Sequence, residues 1–206
     1  MHTEIEERIL EIDKDKVINK LEKLGATKAG EWFYKRYTYD FTPKRENQWI
    51  RLRTNGVETT LTYKNVETRE IDGTKELEIV VDNFEETNEF LKILGYEYKN
   101  YQESKRIRYY LNDVEIDIDT WPMIPTYMEL EGPSVEKVKE LEDLLEVDKS
   151  IITTLYADEI AEQIYGINIL EIKESTASEE AIKLMDKYKY QKDRSYFLFI
   201  KAKKNN

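Results

Sequence analysis

Several segments of this chain alternate polar with apolar residues, so that a polar and usually charged side chain recurs at every second position. Side chains at positions i and i+2 of a strand point to the same face of a sheet. Each segment is therefore predicted to be a β-strand with one charged and one apolar face. The polar sets, in chain order, are Glu4, Glu6 and Arg8; Arg51 and Arg53; Thr62 and Lys64; Glu76 and Glu78; Arg106 and Arg108; Asp117 and Asp119; Glu129 and Glu131.

The charged faces are sorted by sign. One interpretation is an antiparallel sheet whose apolar face packs on helices while the other face is ordinary solvated surface with cross-strand ion pairs. Most of these strands, however, carry only carboxylates or only basic residues on that face. Adjacent like charges repel unless a counter-ion lies between them, so carboxylates favour a divalent cation and arginines favour an anion such as phosphate. The second interpretation is a site for a polyphosphate and a metal ion.

Amphipathic helices are predicted between groups of strands, over residues 13–25, 85–96 and 134–147, and Ser134 is expected to cap the third. Residues 151–166 are predicted to be helical. A short helix from Ser178 and a last strand over SYFLFIKA follow. We expect one domain over residues 1–167, with residues 168–206 as a helix-strand appendage of the same domain.

Composition excludes several kinds of chemistry. The chain has no cysteine, and His2 is its only histidine, so disulfides, thiolate nucleophiles and histidine-based triads are excluded. A net charge of −11 opposes binding to nucleic acid or to an anionic membrane surface. No apolar run approaches the roughly 18 residues that span a bilayer. A cytoplasmic protein is therefore expected, with chemistry from carboxylates, Lys, Arg, Tyr or a bound metal.

Several motifs resemble those of the CYTH superfamily, which includes class IV adenylyl cyclases, thiamine triphosphatases and inorganic triphosphatases. The segment from Glu4 to Arg8, EIEER, resembles the N-terminal ExExK motif of that family, with arginine in place of the usual lysine. The resemblance extends over about residues 3–148 through WIRLR, LTYK, KELEIVV, SKRIRYY and IDTWPMIPTYMELEG. It implies a closed, antiparallel eight-stranded β-barrel, the triphosphate tunnel, with helices packed outside.

The resemblance also implies roles for individual residues. The expected metal ligands, for Mg²⁺ or Mn²⁺, are Glu4, Glu6, Asp119, Glu129 and Glu131, and Asp117 is a further candidate. The expected phosphate-binding residues are Arg8, Arg51, Arg53, Lys64, Arg106 and Arg108. Lys64, Glu4 and Glu6 are expected to be catalytic, with Lys64 orienting water. Arginine at position 8 keeps the positive charge but cannot be deprotonated, so a phosphate clamp is expected there instead of proton transfer.

The expected reaction is hydrolysis of a small-molecule triphosphate, such as inorganic triphosphate, ATP or thiamine triphosphate, by water that a metal activates. Two alternatives stay open. One is cyclisation of ATP to cyclic AMP and pyrophosphate by the same metal and phosphate ligands. The other is a non-catalytic sensor of nucleotide or polyphosphate, which the intact set of carboxylates disfavours. The helical tail from Ile151 could cover one mouth of the tunnel or form a homodimer contact.

Overall fold

The computed structural model describes residues 1–167 and the backbone of residues 174 and 175. Its strands are β1 (His2–Glu4), β2 (Glu6–Ile9), β3 (Thr27–Asp40), β4 (Gln48–Thr54), β5 (Thr59–Val66), β6 (Thr74–Val81), β7 (Tyr98–Leu111), β8 (Val114–Thr120), β9 (Tyr127–Glu131), β10 (Ile152–Thr153) and β11 (Glu174–Ser175). Its helices are α1 (Lys14–Lys23), α2 (Phe84–Ile93), α3 (Val135–Leu145) and α4 (Ala157–Glu159), with a 3-10 turn at Lys149–Ile151 and a π-helical turn at Ile160–Ile164. These elements confirm the predicted α+β class.

The strands form one curled sheet. Its hydrogen-bonded order is β1-β6-β5-β4-β3-β7-β8-β9-β2-β10, and β11 adds a short parallel pairing to β7. The predicted closed barrel of eight strands is not confirmed, because this path has ten strands, with β1 at one end and β10 at the other.

The N-terminal segment contributes strands near both ends of this path. Its first half, β1, pairs with β6, and its second half, β2, pairs with β9. Only Ile5 separates the two strands. At this point the backbone forms hydrogen bonds with loops instead of with a neighbouring strand: Glu6 N donates to Ile71 O at 3.0 Å, and Ile5 O accepts from Gly132 N at 3.1 Å. The segment is thereby divided into two short strands instead of one.

The apolar faces of the strands pack beneath the helices. Ile116 and Leu130 are fully buried in one cluster with Leu21 of α1 and Leu141 of α3. The predicted cap of α3 is confirmed, since Ser134 accepts a hydrogen bond from the backbone N–H of Lys137. The opposite, polar faces of the strands are thus left on the concave side of the sheet.

Helix α2 covers the other half of the sheet. Asn83 caps it by accepting hydrogen bonds from two backbone N–H groups of its first turn. Beneath it, Tyr39 and Leu52 are fully buried with Phe84, and the hydroxyl of Tyr39 donates to Asn88 at 2.9 Å. Along β3, Tyr37 and Tyr39 of this cluster alternate with polar residues that face the concave side, namely Arg36, Thr38 and Asp40.

The segment after α3 returns to the N-terminal strands. β10 pairs with β2, and Ile160 and Ile167 pack with Trp121 in a further core cluster. No helix in the described part of the chain has the length and apolar character needed to cross a membrane. The predicted helix from Ser178 and the strand over SYFLFIKA lie outside the described residues, so the division at residue 167 stays a prediction.

Candidate active site

The polar faces of the curled sheet line a cavity of about 650 Å³. Asp119 is buried against Arg106 instead of lining it, with its Oδ1 accepting from Arg106 Nε at 2.7 Å. The further candidate Asp117 is likewise buried, against Arg106 and Arg108. The remaining predicted site residues line the cavity: Glu4, Glu6, Arg8, Arg51, Arg53, Lys64, Arg106, Arg108, Glu129 and Glu131.

Arg8 connects two of the predicted metal ligands. Its Nη2 lies 2.8 Å from Glu6 Oε1 and 2.7 Å from Glu129 Oε2, and all three side chains are buried. The pairing of β2 with β9 creates this contact, because Arg8 lies directly opposite Glu129. Burial alone would disfavour the charged guanidinium, but Glu129 and Glu6 outweigh it and raise the pKa of Arg8.

Lys64 lies between two carboxylates. Its Nζ is 2.7 Å from Glu4 Oε1 and 2.8 Å from Glu76 Oε2. Burial and the neighbouring Glu6 raise the pKa of Glu4 to about 9. Burial also disfavours the charge of Glu76, but Lys64 and Arg51 outweigh this effect and lower its pKa to about 2. Glu76 is therefore stabilised as a carboxylate anion beside the ammonium group of Lys64.

Arg106 is surrounded by acidic groups. It forms ion pairs with Asp117 and Asp119 of β8 and with Glu129 of β9, the last at 3.1 Å. Arg108 pairs with Asp117 at 2.8 Å and with Glu115. Burial opposes the charge of both arginines, yet the carboxylates raise the pKa of each. Their positive charges are therefore already balanced by the protein.

Glu131 differs from the other predicted ligands because none of the ion pairs among residues 1–167 includes it. It lies opposite Glu6 across β2 and β9. Burial, with repulsion from Glu6, Glu129 and Glu115, raises the pKa of Glu131 to about 7. A carboxylate in this position would gain from a nearby cation.

The fit of a metal ion rests on these oxygen donors. In the part of the chain that the structure describes, no three His, Cys, Asp or Glu side chains lie together in an arrangement that would hold a metal. The predicted ligands are divided instead, since Glu4 contacts Lys64, Asp119 contacts Arg106, and Glu6 and Glu129 contact Arg8. Carboxylate oxygens beside an unneutralised Glu131 nevertheless fit the preferences of Mg²⁺ and Mn²⁺.

The arginines of β4 are less well neutralised than those of β7. Arg51 lies 3.3 Å from Glu78 and 3.9 Å from Glu76, whereas Arg53 has only Glu78, at 3.9 Å. Burial, together with repulsion from Arg51 and Arg106, lowers the pKa of Arg53 to about 10. This part of the wall carries excess positive charge, as an anion-binding surface would.

Sequence patterns missed Arg36 of β3, which also lines the cavity. Its guanidinium lies 3.9 Å from the centre of the Trp121 ring. The residues two positions before and after Arg36 are Tyr34 and Thr38, so no pair of like charges on one face of the strand marked it. The period-two alternation of β3 could have placed it on the polar face.

Tyr156, between β10 and α4, was missed as well. Its ring lies 4.6 Å from the guanidinium carbon of Arg8 and 5.1 Å from Lys64 Nζ, and its hydroxyl lies 2.9 Å from Thr74 Oγ1. Arg69 and Glu159, which also line the cavity, form a two-bond ion pair. No local pattern could reveal these contacts, because their partners are far apart in the sequence.

The sequence matches the family described as "CYTH domain" over residues 2–156, which include every cavity residue discussed above except Glu159. The chain belongs to the CYTH family. A relative from Methanocaldococcus jannaschii, named "Putative adenylate cyclase MJ0240", is 27% identical over 157 residues, covering 72% of this chain and 89% of that protein. The resemblance that the motifs implied is thereby confirmed.

Solved structures share this CYTH fold. The PH1012 protein of Pyrococcus horikoshii OT3 has a TM-score of 0.67 at 19% identity, covering 74% of this chain and 96% of that one. The Hippeastrum protein HpAC1 has a TM-score of 0.56 at 16% identity, covering 81% of this chain and 96% of that one.

Proposed function

We propose that this CYTH protein is a divalent-metal-dependent triphosphatase. The observation that carries the proposal is that one cavity contains both an unneutralised carboxylate, Glu131, and a poorly neutralised arginine, Arg53. The first favours a cation and the second favours an anion. A metal–triphosphate complex supplies both charges in one ligand, and it removes the repulsion that each group suffers in the free protein.

The names of similar proteins support a triphosphate substrate. The Methanocaldococcus jannaschii relative is named for adenylate cyclase, and HpAC1 of Hippeastrum is described with an adenylyl cyclase name and a dominant triphosphatase activity. Both reactions break a phosphoanhydride bond of a triphosphate.

The basic residues would hold the phosphates. Arg51 and Arg53 face the cavity with few competing carboxylates, so they are the first choice for phosphoryl oxygens. Arg8, Arg106 and Arg108 form ion pairs with carboxylates. They would stabilise the phosphates through their electrostatic field, or exchange the carboxylates for phosphate oxygens when the substrate binds. In a buried site such fixed charges act more strongly than in water.

Glu6, Glu129 and Glu131 would hold Mg²⁺ or Mn²⁺, together with Glu4 and Asp119 if these exchange their basic partners. The metal would supply charge neutralisation on the phosphoryl oxygens and activation of water. Lys64, whose Nζ lies between Glu4 and Glu76, would donate a hydrogen bond to the attacking water and orient it. We further propose that the N-terminal segment, paired on both sides, completes a tunnel around the substrate.

The experiment that tests this function identifies products. Metal-stripped protein is incubated with inorganic triphosphate, ATP or thiamine triphosphate, with Mg²⁺, Mn²⁺ or neither, and the products are separated by ion-exchange chromatography. We expect orthophosphate and a diphosphate product, formed only when metal is present. Cyclic AMP and pyrophosphate from ATP would establish the cyclase instead. Tight binding of a triphosphate without turnover would indicate a sensor.

A further inference from the structure

Arg36 has surroundings unlike those of the other arginines of the cavity. None of the ion pairs among the described residues includes it, and its Nε is buried without a hydrogen-bond partner. Instead of a carboxylate, an aromatic ring holds it: its guanidinium lies 3.9 Å from the centre of the Trp121 ring. The stack fixes the group in position but leaves its charge unbalanced.

Trp121 is itself fixed. Its indole N–H donates to the hydroxyl of Tyr127 at 2.9 Å, and both side chains are buried. Trp121 also packs in the core cluster that contains Ile160 and Ile167. Arg36 thus lies on a rigid aromatic support, which reduces the conformational entropy that it would lose on binding a ligand.

The neighbours of Arg36 add to its positive surroundings. In the pairing of β3 with β4, Arg36 lies directly opposite Arg53, and the next position on the same face sets Thr38 opposite Arg51. Like charges directly opposite each other destabilise a sheet. Burial and repulsion by Arg51 and Arg53 accordingly lower the pKa of Arg36 to about 9. This cluster of Arg36, Arg51 and Arg53 would be stabilised by a bound anion.

We propose that Arg36 is a further substrate-binding residue, which donates hydrogen bonds to a phosphoryl group from a fixed position on Trp121. The anion that fits is a phosphoryl oxyanion lying between Arg36 and Arg53, because it would satisfy the free Nε–H and neutralise both guanidinium groups. Trp121 acts as the positioning residue. The inference rests on the proposed function, but it assigns substrate binding to a residue that is not one of the paired charged residues predicted along the strands.

Calorimetric titration with inorganic triphosphate tests the inference, once in EDTA and once in Ca²⁺. The variants are Arg36→Gln and Arg36→Lys. Lys35→Gln is the matched control, since Lys35 is the neighbouring residue in β3 and is exposed on the opposite face of the strand. We expect Arg36→Gln to weaken binding by at least about tenfold, the effect of losing a hydrogen bond between charged groups. Arg36→Lys should fall between, because lysine keeps the charge without the planar fork. Lys35→Gln should bind as the wild type does.

The positioning role of Trp121 has its own readout. Trp121→Phe should weaken triphosphate binding in the wild-type background, yet add little when Arg36 is already Gln, since the ring acts through the guanidinium. Equal effects in both backgrounds would show that Trp121 is merely structural and would overturn that role.

Two outcomes separate this inference from the proposed function. If Arg53→Gln weakens binding but Arg36→Gln, folded with an unchanged melting temperature, binds as the wild type does, the inference is wrong and the proposed function stands. If the wild-type protein binds no triphosphate in either solution, the inference is overturned, and the proposed function is overturned as well if Mg²⁺ and Mn²⁺ support no turnover.

Discussion

Glu129 and Glu131 have different electrostatic surroundings although they are close together in the sequence. They are two residues apart on the same face of β9, so the sequence treats them alike. In the structure Glu129 contacts Arg8 and Arg106, which outweigh its burial and lower its pKa, whereas Glu131 has acidic neighbours. Periodicity predicted the face that each side chain occupies. It could not predict which residues of other strands would become their partners, such as Arg8 of β2 or Arg106 of β7.

The first prediction concerns Glu131→Gln in metal-free protein. The pKa of Glu131 is about 7 in the folded state against an ordinary value of 4.5, so the folded protein binds a proton between these pH values that the unfolded chain does not. The wild type therefore loses stability as pH rises from 4.5 to 7. At pH 8 the variant should unfold with a free energy roughly 1–3 kcal/mol higher, and this gain should vanish near pH 4. Denaturant titrations across the pH range measure it.

Glu129→Gln is the matched control for that prediction. Its loss leaves the buried guanidinium of Arg8 with fewer anionic partners, so stability should fall at pH 8 instead of rising. Equal shifts in the two variants would contradict the electrostatic difference between the two positions.

A second prediction separates Arg106 from Arg53. Arg106→Gln leaves Asp117, Asp119 and Glu129 without their shared cation, so it should destabilise the fold by roughly 3–5 kcal/mol. Arg53→Gln should change the free energy of unfolding by less than about 1 kcal/mol, because its one acidic partner is 3.9 Å away. Urea unfolding at neutral pH distinguishes them. A destabilisation by Arg53→Gln as large as that by Arg106→Gln would show that both arginines are structural.

At the scale of the elements, the helices and the long strands could be predicted, whereas the short strands at the ends of the sheet could not. Helices α1, α2 and α3 lie where amphipathic periodicity and capping residues indicated. The division of the N-terminal segment at Ile5 and the pairing of β10 with β2 depend on hydrogen bonds between distant segments. The sequence around Tyr156 predicted only a helix, and the contact of that residue with Arg8 arises from this long-range pairing.

A third prediction tests the segment between β10 and α4. Tyr156→Leu removes the ring from Arg8 and Lys64 together with the contact to Thr74, so it should lower the free energy of unfolding by roughly 1–3 kcal/mol. Tyr156→Phe keeps the ring and should lose only the hydroxyl's share, roughly 0.5–1.5 kcal/mol. Thermal and urea unfolding of the two variants provide the comparison. An effect of Phe as large as that of Leu would assign the whole contribution to the hydroxyl.

At the scale of the whole molecule, the charge is arranged unevenly. The chain carries a net charge of −11, yet Arg36, Arg51, Arg53, Lys64, Arg106 and Arg108 are gathered on the concave side of the sheet. Alternation along the strands predicted that the basic residues of β4, β5 and β7 share this face, but it did not predict Arg36. What it could not predict is how far each charge is neutralised, because that depends on the register of neighbouring strands. The cytoplasmic location and the homodimer contact stay predictions.

The most direct test of the central claim is the release of orthophosphate from inorganic triphosphate by thoroughly metal-stripped protein, measured as Mg²⁺ or Mn²⁺ is added back. Because His2 is the one histidine among the cavity residues, no cysteine is present and Glu131 lacks a cation, we expect no turnover in EDTA and saturable recovery with metal. Glu131→Gln, folded and more stable at pH 8, should need far more metal or lose activity by orders of magnitude. Full turnover in EDTA, or an unchanged metal requirement in Glu131→Gln, would contradict the account.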